Sequence, residues 1–392
     1  MKTLKFLGSI AMATILLSNC SKQSLSVEVQ SFGRLSNGEE AHLFTITNSS
    51  GSSLSISDYG ARIVSINIPD RNGKLGDVII GHGDLSTFET GDRFMGCVLG
   101  RYGNRINNSS FVIDSVEYRI SANELLDGNP VHLSGGTNGF DRFIWDSEVV
   151  WDEDKAGVRF SRMSPDGEEG YPGNCECTVT YWWNETDICK IVYEAISDKP
   201  TVINLSNHAY FNLKGVEGEY VMDHLLTVYA DSCIQNNLQY CPEYVLAVDD
   251  TPFDFREPNR VDYRLDVPHE HLRIMRGMSA CWKLRDFKGN RSDGQDGCID
   301  STAVLFKAAD LYEPRCGRGM ETWTTEPFIL TYTGRGFNGS RMGKKVPIVK
   351  YSGMLFETIH AADSPNQDRF PSTILRPGEK YRTTTEFRFY TK

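Results

Sequence analysis

At four places in this 392-residue chain, polar residues interrupt otherwise apolar strand text. The first is Gly100-Arg101-Tyr102-Gly103-Asn104-Arg105-Ile106 and the second is Ser164-Pro165-Asp166-Gly167-Glu168-Glu169-Gly170-Tyr171-Pro172-Gly173. The third is Asn204-Leu205-Ser206-Asn207-His208-Ala209-Tyr210-Phe211-Asn212-Leu213. The fourth is Phe356-Glu357-Thr358-Ile359-His360, followed by Asp363-Ser364-Pro365-Asn366-Gln367. They bring a histidine, a carboxylate and a guanidinium into one set: His208, Glu357 and Arg105. A histidine is a natural proton donor near neutral pH, a carboxylate is a natural base, and arginine offers a planar fork of donors. Taken singly, each has a plainer reading. A lone histidine in a strand is more often structural, and a lone glutamate is more often a solvated surface charge.

Other chemistry is weakly supported. His269-Glu270-His271 has poor ligand spacing for a metal and lies in a loop-like stretch. Cys175-Glu176-Cys177 lacks a second such pair and reads as thiols buried in a strand. Tyr171 and Trp182-Trp183 could stack on a ligand, but aromatic core is their default role. Hydrolysis of a glycosidic bond wants two flanking carboxylates, whereas the strong pair here is His plus Glu. The net charge of −11 disfavours nucleic acid as a partner.

The elements that must hold these residues read as strands and turns. Cys177 to Trp183 and Ile188 to Ile196 alternate around Asn184-Glu185-Thr186-Asp187, as in a hairpin. Phe111-Val112-Ile113 and Tyr118-Arg119-Ile120 flank another turn, and residues 386–390 alternate as a half-buried strand does. Turn residues recur at short intervals, and no window of twelve residues past the leader has a helical period. Residues 285–299 read as a polar surface loop. The expectation is all-β: one large antiparallel sandwich over residues 28–392.

The N-terminus reads as a targeting signal. Lys2 and Lys5 precede a short apolar run ending in Leu17-Ser18-Asn19-Cys20, which resembles a bacterial lipobox. Residues 1–19 are then a cleaved signal, Cys20 carries the lipid, and residues 20–27 are a tether. Loss of Lys2 and Lys5 makes the mature chain more acidic still. A cell-envelope location follows, periplasm-facing or at the outer membrane, with the membrane reached through the lipid alone. Nine other cysteines remain, an odd number whose pairing is not legible from sequence.

Together the four segments closely resemble the aldose 1-epimerase (galactose mutarotase) family. Asp58-Tyr59-Gly60-Ala61-Arg62-Ile63, Thr324-Thr325-Glu326-Pro327, Tyr332-Thr333-Gly334 and Arg376-Pro377-Gly378-Glu379 add to it, in the family's order. The resemblance implies a single antiparallel β-sandwich and interconversion of the anomers of a free monosaccharide, without a cofactor or metal. It implies that His208 is the acid and Glu357 the base, and that Asn104 and Arg105 bind the sugar. Tyr210, in the same motif as His208, joins the expected substrate contacts, and a monomer is expected.

Three expected sugar contacts, and one residue beside them, are altered. Leu133-Ser134-Gly135-Gly136 has Ser134 where the family has His; His132, two residues earlier, is the candidate substitute if the strand continues. Ser279 stands where a sugar-binding Asp is expected, Leu330 where a Gln is, and Arg335 where an Asn is. Leu330 and Met278 would make the wall more apolar, favouring a deoxy or pentose sugar. Arg335 points instead to an acidic sugar. A lipid-anchored carbohydrate-binding protein of the same fold, without turnover, is the competing reading.

Overall fold

The computed structural model describes residues 25–91, 94–287 and 304–392, together with the backbone of 4–5 and 13–14. Cys20, Cys298 and residues 288–299 of the polar loop lie outside the described residues.

Alternation in the sequence becomes alternation in burial. In Cys175–Asn184 the residues Val179, Tyr181 and Trp183 point inward while Trp182 between them does not. This strand pairs with Ile188–Ser197 across the expected turn, where the Asn184 side chain accepts the amides of Thr186 and Ile188. Such hairpins build a ten-stranded sheet running from Asp146–Trp151 through Lys155–Ser164, Cys175–Asn184, Ile188–Ser197, Tyr381–Thr391 and Arg318–Thr324 to Phe306–Tyr312 and beyond. A seven-stranded sheet follows the order Pro242–Ala247, Ala230–Asn236, Ser279–Leu284, Phe328–Tyr332, Met354–Ile359, Tyr210–Phe211, Ile79–Ile80. A six-stranded sheet includes Ser26–Arg34, Glu40–Thr47, Ser53–Ser57 and Arg62–Pro69. Every ladder in these three sheets is antiparallel.

The main core joins the inner faces of all three sheets. Phe211 and Phe387 meet across it with ring centroids 4.8 Å apart, and Phe44 meets Phe160 at 5.8 Å. The all-β sandwich expected from the sequence is the observed architecture. The only α-helices among the described residues are two single-turn-and-a-half pieces, Leu85–Thr90 and Glu270–Met275. The second corrects the loop reading of the His269-Glu270-His271 stretch. His269 caps that helix by accepting the His271 amide, and His271 is buried between the Asn236 amide and the Ser279 carbonyl.

Eight cysteines are described and all are free thiols. Cys175 and Cys177 share the inward face of their strand, with sulfurs 3.6 Å apart.

Candidate active site

The seven-stranded sheet has two unlike faces. Ala280, Trp282, Ile329, Met354, Phe356 and Phe211 point into the main core. The alternate residues Ser279, Cys281, Leu330, Tyr332, Leu355, Glu357 and Tyr210 must then lie on the other face. Pairing fixes their rows. Glu357 is directly opposite Leu330, and Leu330 is opposite Cys281. Ser279, Tyr332, Leu355 and Tyr210 form the adjacent row.

His208 enters this face two residues ahead of Tyr210. Its Nε2 lies 3.2 Å from Glu357 Oε1. The backbone around it is tied down at several points: His208 N donates to the Cys97 carbonyl, Gly96 N donates to the His208 carbonyl, and Asn207 Nδ2 donates to the Gly96 carbonyl. Asn207 also accepts the Ala209 amide, so the asparagine preceding the histidine shapes the turn that presents it. Phe94 and Tyr210 flank the imidazole at centroid distances of 5.9 and 5.2 Å.

Burial sets the electrostatics. The Glu357 side chain is 3% exposed and the His208 side chain 17% exposed. With apolar Leu330 opposite, removal from water pushes Glu357 up to about 8, against the opposing charge of Arg105. The same cause pulls His208 down to about 4. Between those limits the two groups carry one transferable proton, which burial favours on the carboxyl group.

Asn104 and Arg105 come from a neighbouring loop. Asn104 adopts φ 62°, a left-handed conformation that asparagine tolerates better than most residues, and its carbonyl accepts the Ser134 amide. The strand Arg105–Asn107 pairs with Asn129–Leu133. The Arg105 guanidinium is gripped by Glu124, with Nε 2.7 Å and Nη2 3.2 Å from its two oxygens, and stacks over Tyr240 at 5.0 Å. Asp363 closes the other side: its amide donates to the Arg105 carbonyl at 2.7 Å, and its carboxylate accepts the Asn107 amide. The segment after Glu357 thus locks the Asn104-Arg105 loop against the site.

Two expectations need correction. His132 is fully buried with both ring nitrogens engaged: Nδ1 donates to the Ser121 carbonyl and Nε2 accepts the Tyr171 hydroxyl, each at 2.6 Å. It anchors Tyr171 in a side core with Tyr102, Ile106 and Phe111 and has no nitrogen left for a sugar. Strand geometry ends at Leu133 and Ser134 has φ 47°, so counting by twos fails there. Met278 belongs to the main core, one residue out of phase with Ser279, and does not form the pocket wall.

Sequence reasoning missed Glu124, because its partner is on another strand. It also missed the role of Glu326 and His360. Glu326 Oε2 lies 2.7 Å from His360 Nδ1, and both side chains are buried. Asn204 accepts the His360 amide and donates to the His360 and Gly103 carbonyls, so one asparagine links three of the four motif segments.

An acid–base pair at contact distance, within the field of a guanidinium, can move one proton in and one out of a small polar substrate. Residues 42–388 match the family described as aldose 1-epimerase. Galactose mutarotase of Rattus norvegicus is 34% identical over 367 residues, 93% of this chain and 99% of that protein. Aldose 1-epimerase of Escherichia coli (strain K12) is 29% identical over 355 residues, 90% and 96% of the two chains. Among solved structures, an aldose epimerase homologue from C. elegans superposes with a TM-score of 0.76 at 26% identity, over 90% of this chain and 99% of the other. The galactose 1-epimerase of Lactobacillus acidophilus shares the fold, with a TM-score of 0.78 at 24% identity, over 94% and 99%. The chain belongs to the aldose 1-epimerase family, and it is an isomerase that interconverts the α and β anomers of a free monosaccharide.

Proposed function

We propose that His208 and Glu357 are the proton-transfer pair of this reaction. The reacting form has the pair's one proton on His208 and Glu357 ionised, the form that the charge of Arg105 favours: Glu357 takes the proton of the anomeric hydroxyl while His208 protonates the ring oxygen, and the C1–O5 bond opens. The aldehyde end rotates about C1–C2. Ring closure on the other face returns each proton to its origin, so the pair ends as it began. The two reacting oxygens share one carbon, which requires acid and base to be neighbours. The observation that supports the assignment is the 3.2 Å approach of His208 Nε2 to Glu357 Oε1 in a pocket that excludes water from the carboxylate. Arg105 favours the ionised form of Glu357 and, with Asn104, would orient the sugar. The test is kinetic: His208→Asn and Glu357→Gln should each lower kcat by about 10²-fold or more while the fold survives. Activity within a few-fold of wild type in either would sink the assignment.

The Rattus norvegicus relative is named for galactose, but this chain has Ser134, Ser279 and Leu330 at positions expected to read sugar hydroxyls. Weak activity on galactose and glucose is therefore expected, since a site that reads hydroxyls discriminates through those partners. Cys20 is proposed as the lipid anchor that holds residues 28–392 at the cell envelope. It would act there on a sugar met outside the cytoplasm.

A further inference from the structure

We propose that Arg335 reads an anionic substituent on the sugar, so that the preferred substrates carry a carboxylate or phosphate away from the anomeric carbon. This rests on the reading of His208 and Glu357 as the point where C1 and the ring oxygen react.

Arg335 lies beside the site and is not committed to the protein. Its guanidinium sits over the Tyr332 ring at 5.6 Å. Tyr332 belongs to the row that contains Ser279 and Tyr210, and its ring is 6.2 Å from Tyr210, which in turn is 5.2 Å from His208. Two aromatic rings, Tyr332 and Tyr210, therefore connect Arg335 to His208 along the site face. Among the described residues no carboxylate lies within ion-pair distance of Arg335. Its Nε is buried with no hydrogen-bond partner. The other guanidiniums near functional segments are satisfied: Arg105 by Glu124, and Arg101 by Ser164, Pro172 and Thr201. In a chain with net charge −11, an unpaired arginine at a binding face is conspicuous.

The surroundings of Arg335 carry no competing charge. Gly277, with φ 135°, brings the backbone alongside: a Cβ there would stand in ordinary contact, 3.7 Å from Arg335 Cδ and from the Tyr351 hydroxyl. The neighbouring Ser279 is uncharged, and Tyr332 spends its hydroxyl accepting the Gly336 amide. A guanidinium is a planar fork of donors that can meet two oxygens at once, the geometry that carboxylates and phosphates share. With Met278 placed in the core, half of the support for a deoxy sugar is gone, and Leu330 lies opposite Glu357, at the reacting end.

Anomer exchange measured by NMR on galactose, galacturonate and galactose 6-phosphate, with the full chain, tests this. One anionic sugar should exceed galactose in kcat/KM by about tenfold or more, and which one it is assigns carboxylate or phosphate. Arg335→Gln should lower the ratio of anionic to neutral kcat/KM by at least about tenfold, with Arg335→Lys between the two. Added salt should raise KM for the anionic sugar more than for galactose in the wild-type chain. A wild-type preference for galactose, or a ratio that Arg335→Gln leaves unchanged, overturns the proposal even if exchange is robust. Absence of exchange on all three sugars would instead strike the acid–base reading on which it rests.

Discussion

At Glu357 and His208, burial outweighs every other influence, and it acts on the two groups in opposite directions. Glu357 is raised to about 8 and His208 lowered to about 4, so the singly protonated pair spans the range between. Turnover should be flat across that range, falling above about 8 as the last proton leaves and below about 4 as both groups become protonated; a kcat/KM–pH profile checks this. The stability linkage has a definite sign. A glutamate whose folded pKa is raised binds its proton more tightly when folded, so its contribution is intact below about 4.5 and is lost as pH rises through about 8. Glu357→Gln should therefore gain stability over wild type progressively from about pH 4.5, reaching its largest advantage, roughly a few kcal/mol, above pH 8 in thermal unfolding. The identity of these residues was legible because each sits in a motif rich in asparagine, proline or glycine within apolar text. His132 was misjudged for a local reason: the left-handed turn at Ser134 breaks the alternation that would have put the two on one side.

Strand alternation explains both what was readable at the scale of elements and what was not. The hairpin joining Cys175–Asn184 to Ile188–Ser197 announces itself by pattern and turn chemistry. The same period puts Ser279 on the site face and Met278 in the core, a distinction that requires knowing where the strand begins. Side-chain bonds between distant segments leave no mark in the sequence. Arg105 and Glu124 are 19 residues apart, and Glu326 and His360 are 34 apart. Glu326→Gln would weaken the buried hydrogen bond to His360, the residue that follows the strand carrying Glu357. It should cost on the order of 1–3 kcal/mol in urea unfolding. Asp363→Ala keeps the backbone amide that holds the Arg105 carbonyl but removes the carboxylate that accepts the Asn107 amide, so it should spare most of the stability while loosening the strand that begins at Arg105. Its expected signature is a loss of about tenfold in kcat/KM.

For the whole molecule, the sequence supplied the sandwich, and folding supplied the unlike faces of the seven-stranded sheet: one sealed in the core, the other carrying His208, Glu357 and their neighbours. The proposed anchor is a separate matter of the N-terminus. Cys20→Ser should release the protein from membranes into the soluble fraction in detergent-free buffer, because among the described residues no helix is long and apolar enough to cross a membrane. Persistent pelleting with membranes would refute the lipobox reading. The central claim is that one proton-transfer pair turns over anomers, and polarimetry on freshly dissolved α-anomers tests it most directly. Wild type should speed the approach to the equilibrium rotation well beyond buffer. His208→Asn, Glu357→Gln and the double variant should all collapse to a similar low rate, the double no more than about tenfold below the worse single, because the two act as a unit. A double variant that keeps most of the wild-type acceleration would contradict the account.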